Sequence, residues 1–408
     1  MYIKRAIEET ILRISETFPV LLVTGPRQVG KTTLLKHLSG ETRTYVTLDD
    51  PDVRMIAVND PALFMQRYDP PVIIDEIQYA PQLLPYIKMN VDASGNRGDF
   101  WLTGSQAFHM MKNVSESLAG RIGIVNLLGL SSSEINSTVS EPFTTDSKRL
   151  LSRVKKSQKM GLTEIYSKIF KGFFPALYHK KPPDLAEFYR SYINTYLQRD
   201  IKDLTQVGDE MSFLKFMVSI AARTARPIIY EEIARDVGIS QPTAKKWLSV
   251  MISSGLVALV QPYYNNVLKR AVKMPLLHFM DTGLCAYLLK WGNPETLERS
   301  AMSGAFFESW VFSEIHKSYI NAGKEAPLYY YRDKEKREID LIIYENGTLF
   351  PIEIKKAASI GKEAIKHFNL LNVPANHETP TGSGAVICMA NDLLPIDNNN
   401  WIIPAWLI

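Results

Sequence analysis

Along the first 130 residues, short apolar runs of strand length alternate with segments of helical period. In residues 4–17 the apolar positions Ile7, Ile11, Leu12 and Ile14 recur at helical spacing and lead into an apolar run at 18–23. A helix-like stretch follows at 32–38. Further strand-like pieces fall at 44–48, 71–75, 99–103 and 122–128. The run at 71–75, Pro-Val-Ile-Ile-Asp, is continuously apolar until its last residue, as in strands covered on both faces of a parallel sheet. Strands alternating with helical intervals predict a doubly wound α/β unit that takes its ligand at the C-terminal strand ends.

The pattern changes after residue 131. Ser and Thr cluster first, and then Lys148, Arg149, Arg153, Lys155, Lys156 and Lys159 follow within twelve residues. This reads as an exposed connection, its charges either solvated or in contact with phosphates. Leu185, Phe188, Tyr189, Tyr192, Ile193, Tyr196 and Leu197 then keep a helical period in a segment ending near 205, an aromatic stripe expected to be core. Residues 231–237 form a short helix stopping at Gly238. Ser240 can cap a second helix with Pro242 in its first turn and Trp247, Leu248, Met251 and Ile252 facing inward. Apolar runs at 255–260 and 267–272 flank a turn at Asn265-Asn266. Helix, glycine turn, helix and β-ribbon make a winged helix-turn-helix pattern. Its outward positions are Gln241, Thr243, Lys245 and Lys246, with Lys269 and Arg270 on the wing. These suit DNA contact, or else the module is a protein-contact spacer. The last 110 residues predict the order α-β-β-β-α-β, with strands at 328–332, 339–344, 349–355 and 385–389 and a helix near 361–371.

Composition narrows the class. A chain of 408 residues, 46% apolar and 22% charged, has length for two to four domains with real cores. The net charge of +4 permits a nucleic-acid partner without requiring one. Cys285 and Cys388 stand far apart, so neither a disulfide framework nor a cysteine metal site is indicated. The first ten residues carry charges where a signal peptide is apolar, and no run is long enough to cross a bilayer. A soluble cytoplasmic protein with no membrane partner is expected.

Residues 25–32 read Gly-Pro-Arg-Gln-Val-Gly-Lys-Thr, a complete phosphate-binding loop between a strand and a helix. Gly25 and Gly30 let backbone N–H groups curl round a phosphate, and the helix N-terminus adds its positive end. Gly25, Pro26, Arg27, Gln28, Val29, Gly30, Lys31, Thr32 and Thr33 are therefore the expected nucleotide-binding residues. Lys31 supplies charge for the β- and γ-phosphates, and Thr32 and Asp75 are the expected Mg²⁺ ligands. Glu76, beside Asp75 at the end of an apolar strand, can polarise an attacking water. No guanine-reading Asn-Lys-x-Asp motif occurs, so ATP is preferred. Thr103 or Ser105, ending the fourth strand, can reach the γ-phosphate or the water, with Ser105 taken as the catalytic candidate. Arg121 is a candidate arginine finger, acting in cis or from a neighbouring subunit of a homo-oligomer. In the C-terminal region Glu353 and Lys355 alternate on one strand and face one side. Asp340 on the paired strand and Glu308 on the preceding helix can approach them, an arrangement suited to a Mg²⁺ nuclease.

With these residues in view, the chain resembles the prokaryotic AAA-type P-loop ATPases that carry a long C-terminal domain of unknown function. The resemblance rests on residues 25–32, 72–78, 102–106 and 116–121, and extends to 221–224, 281–284 and 337–340. It implies an α/β P-loop AAA-type doubly wound sheet over 1–132, then a linker and helical region over 133–210. A winged helix over 211–274 and a domain similar to restriction-endonuclease-like nucleases over 275–408 would follow. The expected activity is ATP hydrolysis on or with DNA, with a metal-dependent nuclease domain. The competing expectation is an ATP-driven protein-binding switch whose nuclease-like domain is silent.

Overall fold

The computed structural model describes residues 2–104, 117–138, 140–196, 210–264, 274–372 and 379–408. Five strands, β1 (Val20–Thr24), β2 (Thr44–Thr47), β3 (Val72–Asp75), β4 (Phe100–Thr103) and β5 (Ile122–Asn126), form an all-parallel sheet in the order β2-β3-β4-β1-β5. The alternation of side chains divides each strand between two cores. Leu21, Val23, Ile73, Trp101 and Val125 enter the main core, while Val20, Leu22, Ile74, Phe100 and Leu102 enter a second one on the other face. Burial on both faces accounts for the continuous apolar runs.

The segment after β5 departs from expectation. Residues 131–159 are not simply an exposed connection. Ser131 caps the helix Ser132–Ile135 in a reciprocal box with Glu134, and Phe143 and Leu150 are fully buried. Phe143 donates its N–H to Ser318 and accepts from the Tyr319 hydroxyl, so the strap is stitched to the helix Ser303–Asn321. Most of the basic side chains remain exposed, with Arg153 half-buried. The aromatic stripe behaves as core: Phe188, Tyr189, Tyr192, Ile193 and Tyr196 are buried in the helix Leu185–Tyr196. The expected continuation to 205, like the wing tip with Lys269 and Arg270, lies outside the described residues.

Helices Glu210–Ala221, Tyr230–Val237 and Gln241–Ser253 lead into β7 (Val257–Pro262). Gly238, at φ 81°, ends the second helix, and the Ser240 hydroxyl caps the third. β6 (Arg226–Pro227) and β7 flank β8 (Leu276–Phe279) in antiparallel pairing. β7 also runs parallel to β9 (Leu328–Arg332). A single nine-stranded sheet therefore continues through β10 (Glu338–Glu345), β11 (Thr348–Lys355), β12 (Gly384–Cys388), β14 (Asn400–Pro404) and β13 (Leu394–Pro395). β8 lies beyond residue 274 yet pairs back onto β7, and the strands after 389 were absent from the expected order. The helix expected near 361–371 is two short 3₁₀ turns, Lys362–Ile365 and Phe368–Asn372. One core runs from Ile7 through Phe173, Trp247 and Trp310 to Leu407, joining every region of the chain.

Candidate functional site

The phosphate loop leaves β1 and enters the helix Lys31–Ser39. Gly25 sits at φ 132°, where an added Cβ would lie 2.1 Å from the Leu127 carbonyl oxygen, so only glycine lets the loop pass this close to the chain leaving β5. Gly30, the residue before the helix, has φ 92°, and a Cβ there would meet nothing within 4 Å. The space beside Gly30, at the start of the helix, is therefore open. The buried Lys31 ammonium donates to the carbonyls of Gly25 and Pro26 at 3.0 and 2.9 Å, spanning the loop.

Asp75, at the end of β3, accepts from three hydroxyls: Thr32 at 2.8 Å, Tyr45 at 3.0 Å, and Thr103. The pairing of Thr32 and Asp75 provides two hard oxygens beside the phosphate loop, a donor set that fits Mg²⁺ completed by phosphate oxygens and water. Glu76 follows at φ 59°, a conformation unfavourable for a side-chain-bearing residue, and its N–H donates to Thr103 Oγ1 at 3.0 Å. Its carboxylate is hydrogen-bonded to Gln78. Thr103 therefore fixes both acidic residues at once, whereas Ser105 lies outside the described residues. The Tyr45 contact carried no sequence signal beyond a strand-borne tyrosine. Arg121 precedes β5, and Ile122 pairs with Val20 at the start of β1, so Arg121 occupies the sheet edge opposite the phosphate loop. It is paired with Asp92 at 2.5 Å and does not reach the loop of its own chain.

A second layer braces the loop. Arg5, 4% exposed, donates to the carbonyls of Val29 at 2.9 Å and Leu128 at 2.7 Å, and is paired with Glu134 at 2.9 Å. Leu130 in turn accepts from Lys317 at 2.9 Å, and Lys317 is paired with Glu314, which accepts the Ser132 N–H. On the other flank, the turn at Gly255 abuts Pro26: a Cβ on Gly255 would sit 2.8 Å from Pro26 Cγ. These long-range contacts have no local sequence signature, apart from the three-residue spacing of Glu314 and Lys317 on one helix.

In the C-terminal region the expected quartet does converge. Lys355 Nζ lies 2.5 Å from Glu353 and 3.7 Å from Asp340, and the Ile354 N–H donates to Asp340 at 2.7 Å. Burial, then the charges of Asp340 and Glu338, hold Glu308 well above the usual carboxylate range. Burial likewise raises Asp340 against the pull of Lys355, and with Asp340 pushes Glu353 up to about 7. Burial pulls the Lys355 ammonium down, but Asp340 and Glu353 outweigh it and raise it. Glu353 Oε2 is buried without a hydrogen-bond partner. Among the described residues, however, no group of three or more His, Cys, Asp or Glu side chains is spaced to hold a metal ion. Of the expected DNA contacts, Gln241, Lys245 and Lys246 are exposed, while Thr243 is half-buried and hydrogen-bonded to Ser240.

The parallel sheet, the glycine-shaped loop and the Thr32–Asp75 pair build a P-loop nucleotide site. Comparison with known families agrees: residues 17–136 match an AAA domain. Residues 162–295 and 303–408 match two domains of unknown function, DUF8612 and DUF4143. Uncharacterized proteins of Mycobacterium tuberculosis and Mycobacterium bovis are each 28% identical to the chain over 386 residues, covering 92% of this chain and 81% of theirs. Among solved structures, a Walker-type ATPase of Pyrococcus abyssi is 15% identical, with a TM-score of 0.44 over 70% of this chain and 96% of its own. A Holliday junction branch migration motor of Thermotoga maritima is 19% identical, with a TM-score of 0.28 over 62% and 85%. At these scores neither likeness bears on function. No helix among the described residues is long and apolar enough to cross a membrane.

Proposed function

We propose that the protein is a DNA-associated, ATP-hydrolysing switch in which the state of the phosphate loop is passed to a winged helix-turn-helix. The observation that carries this reading is the contact of Pro26 with the turn at Gly255, directly after the helix that presents Gln241, Lys245 and Lys246 to solvent. Movement of the loop around a nucleotide presses on the base of that helix. The chemistry Mg²⁺ would supply at this site is positive charge to offset that of the phosphates. Thr32 and Asp75 would hold it, Lys31 would turn from its loop carbonyls to the phosphate oxygens, and Glu76 would accept a proton from the attacking water. Thr103 keeps Glu76 aimed. β7 leads from the winged helix into the nine-stranded sheet, so the same displacement reaches the C-terminal domain.

Titration of single-stranded, duplex and branched DNA, with and without ATP, tests the reading. Binding is expected to weaken steeply with salt, because phosphate contacts release counterions. Replacing Lys245 and Lys246 together with alanine is expected to flatten the log–log salt slope by about one to two units. Salt-independent binding, or none to any form, transfers the protein to the competing class of nucleotide-driven protein-contact switches. The same samples report cleavage: Mg²⁺- or Mn²⁺-dependent cutting that disappears in Asp340→Ala would reinstate the nuclease.

A further inference from the structure

The basic run after residue 147 does more than solvate a surface. Between the strap 131–158 and the helix Ser303–Asn321 lies a polar cavity of about 520 Å³, closed on one side by Trp406, Leu407 and Ile408. Arg149, Arg153, Lys156 and Lys324 line it, and none of these four cations takes part in an ion pair among the described residues. Arg153 gives one guanidinium nitrogen to the carbonyls of Glu141 and Pro142, at 2.8 and 2.7 Å, and has no carboxylate partner. Burial lowers its pKa and the charge of Glu141 offsets this only in part, so the guanidinium has been taken out of water at a net cost. Three side-chain carboxylates also line the cavity. Glu314 is already consumed by Lys317 and the Ser132 amide, leaving the side chains of Glu141 and Glu345 against four cationic ones. Ser132, 2% exposed, is in the wall, and its hydroxyl is buried with no hydrogen-bond partner.

We propose that this cavity is a second ligand site, separate from the ATP site, that binds a small phosphorylated molecule. The volume lies in the range of small-molecule sites. Guanidinium and ammonium groups that take part in no ion pair among the described residues, surrounded by hydroxyls, are the donors phosphate oxygens take. A nucleic-acid backbone offers the same chemistry, but a duplex lies on a surface. Here the cations line a recess between the strap and the chain's last residues, which selects a compact anion.

Pyrophosphate is a suitable probe, titrated calorimetrically into the full-length Lys31→Ala protein so that the phosphate loop does not compete. Saturable binding is expected. An Arg149→Ala, Lys156→Ala pair in that background should weaken it about tenfold or more, since each change removes a charged hydrogen-bond donor. Both residues are exposed, so an unchanged thermal midpoint separates lost binding from lost folding. Lys148 and Lys155 carry equal charge on the same strap without lining the cavity, and replacing both should leave affinity within about twofold. Absence of pyrophosphate binding overturns the proposal. So does equal loss in the two pairs, or competition by a short oligonucleotide alone.

Discussion

At the scale of single residues, the acid at the end of β3 makes the sharpest claim. Glu76 is held at φ 59° with its N–H on Thr103, a costly conformation directly after Asp75, the acid that accepts the Thr32 hydroxyl. Glu76→Gln preserves shape and removes the ability to accept a proton. ATP affinity is expected to stay within about twofold while turnover falls by about two orders of magnitude or more. Single-turnover hydrolysis with labelled ATP measures this, and wild-type turnover would remove Glu76 from the role of base. His278 offers a test of stability. It is buried, stacks on Phe312 and lies 3.2 Å from the Ser309 hydroxyl, and burial lowers its pKa to about 3. The folded protein keeps it neutral while the unfolded chain protonates below about pH 6.5. Its contribution is therefore intact above pH 6.5 and lost as pH falls toward 3. Between pH 6.5 and 5 this amounts to about 2 kcal/mol. In His278→Gln the thermal midpoint should fall less over that interval than in wild type. Parallel falls would show that the imidazole is protonated in the fold. The residues of the phosphate loop were legible because its chemistry is contiguous. Tyr45 and Arg5 were not, since what defines them is a partner 30 or 129 positions away.

At the scale of elements, the reading from sequence succeeded where one strand or helix is a self-contained pattern and failed where tertiary contact sets the outcome. The five parallel strands follow from apolar runs, and the aromatic helix from its period. The strap 131–159 looked solvent-borne because Ser, Thr and Lys dominate it, yet two apolar residues, Phe143 and Leu150, suffice to pin it. Composition averages over such anchors. The element that matters most for coupling is the turn between the helix Gln241–Ser253 and β7. Two glycines in this region have left-handed backbones, Gly238 at φ 81° and Gly255 at φ 70°, but only Gly255 faces the phosphate loop. Alanine at either position should cost about 1 kcal/mol of stability through backbone strain. Only Gly255→Ala forces its methyl against Pro26, a rigid ring that cannot swing aside. Its ATP affinity should drop several-fold while Gly238→Ala binds as wild type. Equal affinities, measured by fluorescent-nucleotide titration, would show that the turn and the loop are mechanically independent.

At the scale of the molecule, the expected division at 132, 210 and 274 describes an order of motifs, and the energetics cross every one of those borders. The main core is shared from Ile7 to Leu407, and the nine-stranded sheet joins the helical region of 210–253 to the C-terminal strands through β7 and β9. Two buried ion pairs lie at the seam, Arg5–Glu134 and Glu314–Lys317, each with side chains no more than 4% exposed. Charges so deeply withdrawn from water are tolerable only while both partners and their carbonyl acceptors stay in place. Separating the ATPase sheet from the C-terminal helix would strand Lys317 from Leu130 and Glu314 from Ser132, and would expose the shared apolar core as well. Small polar interfaces let domains unfold in turn, but this seam is neither small nor polar at its centre. Calorimetry should therefore show one endotherm whose van't Hoff and calorimetric enthalpies agree, despite a length at which separate transitions are common. Lys317→Met leaves Glu314 in the seam without its ammonium and should destabilise the whole by about 3 kcal/mol or more. The midpoint would move as a unit. Were the C-terminal region to melt in a resolved transition of its own, leaving the ATPase sheet folded, the shared core would not be the unit of stability. A displacement at Pro26 would then have no rigid path to the far strands.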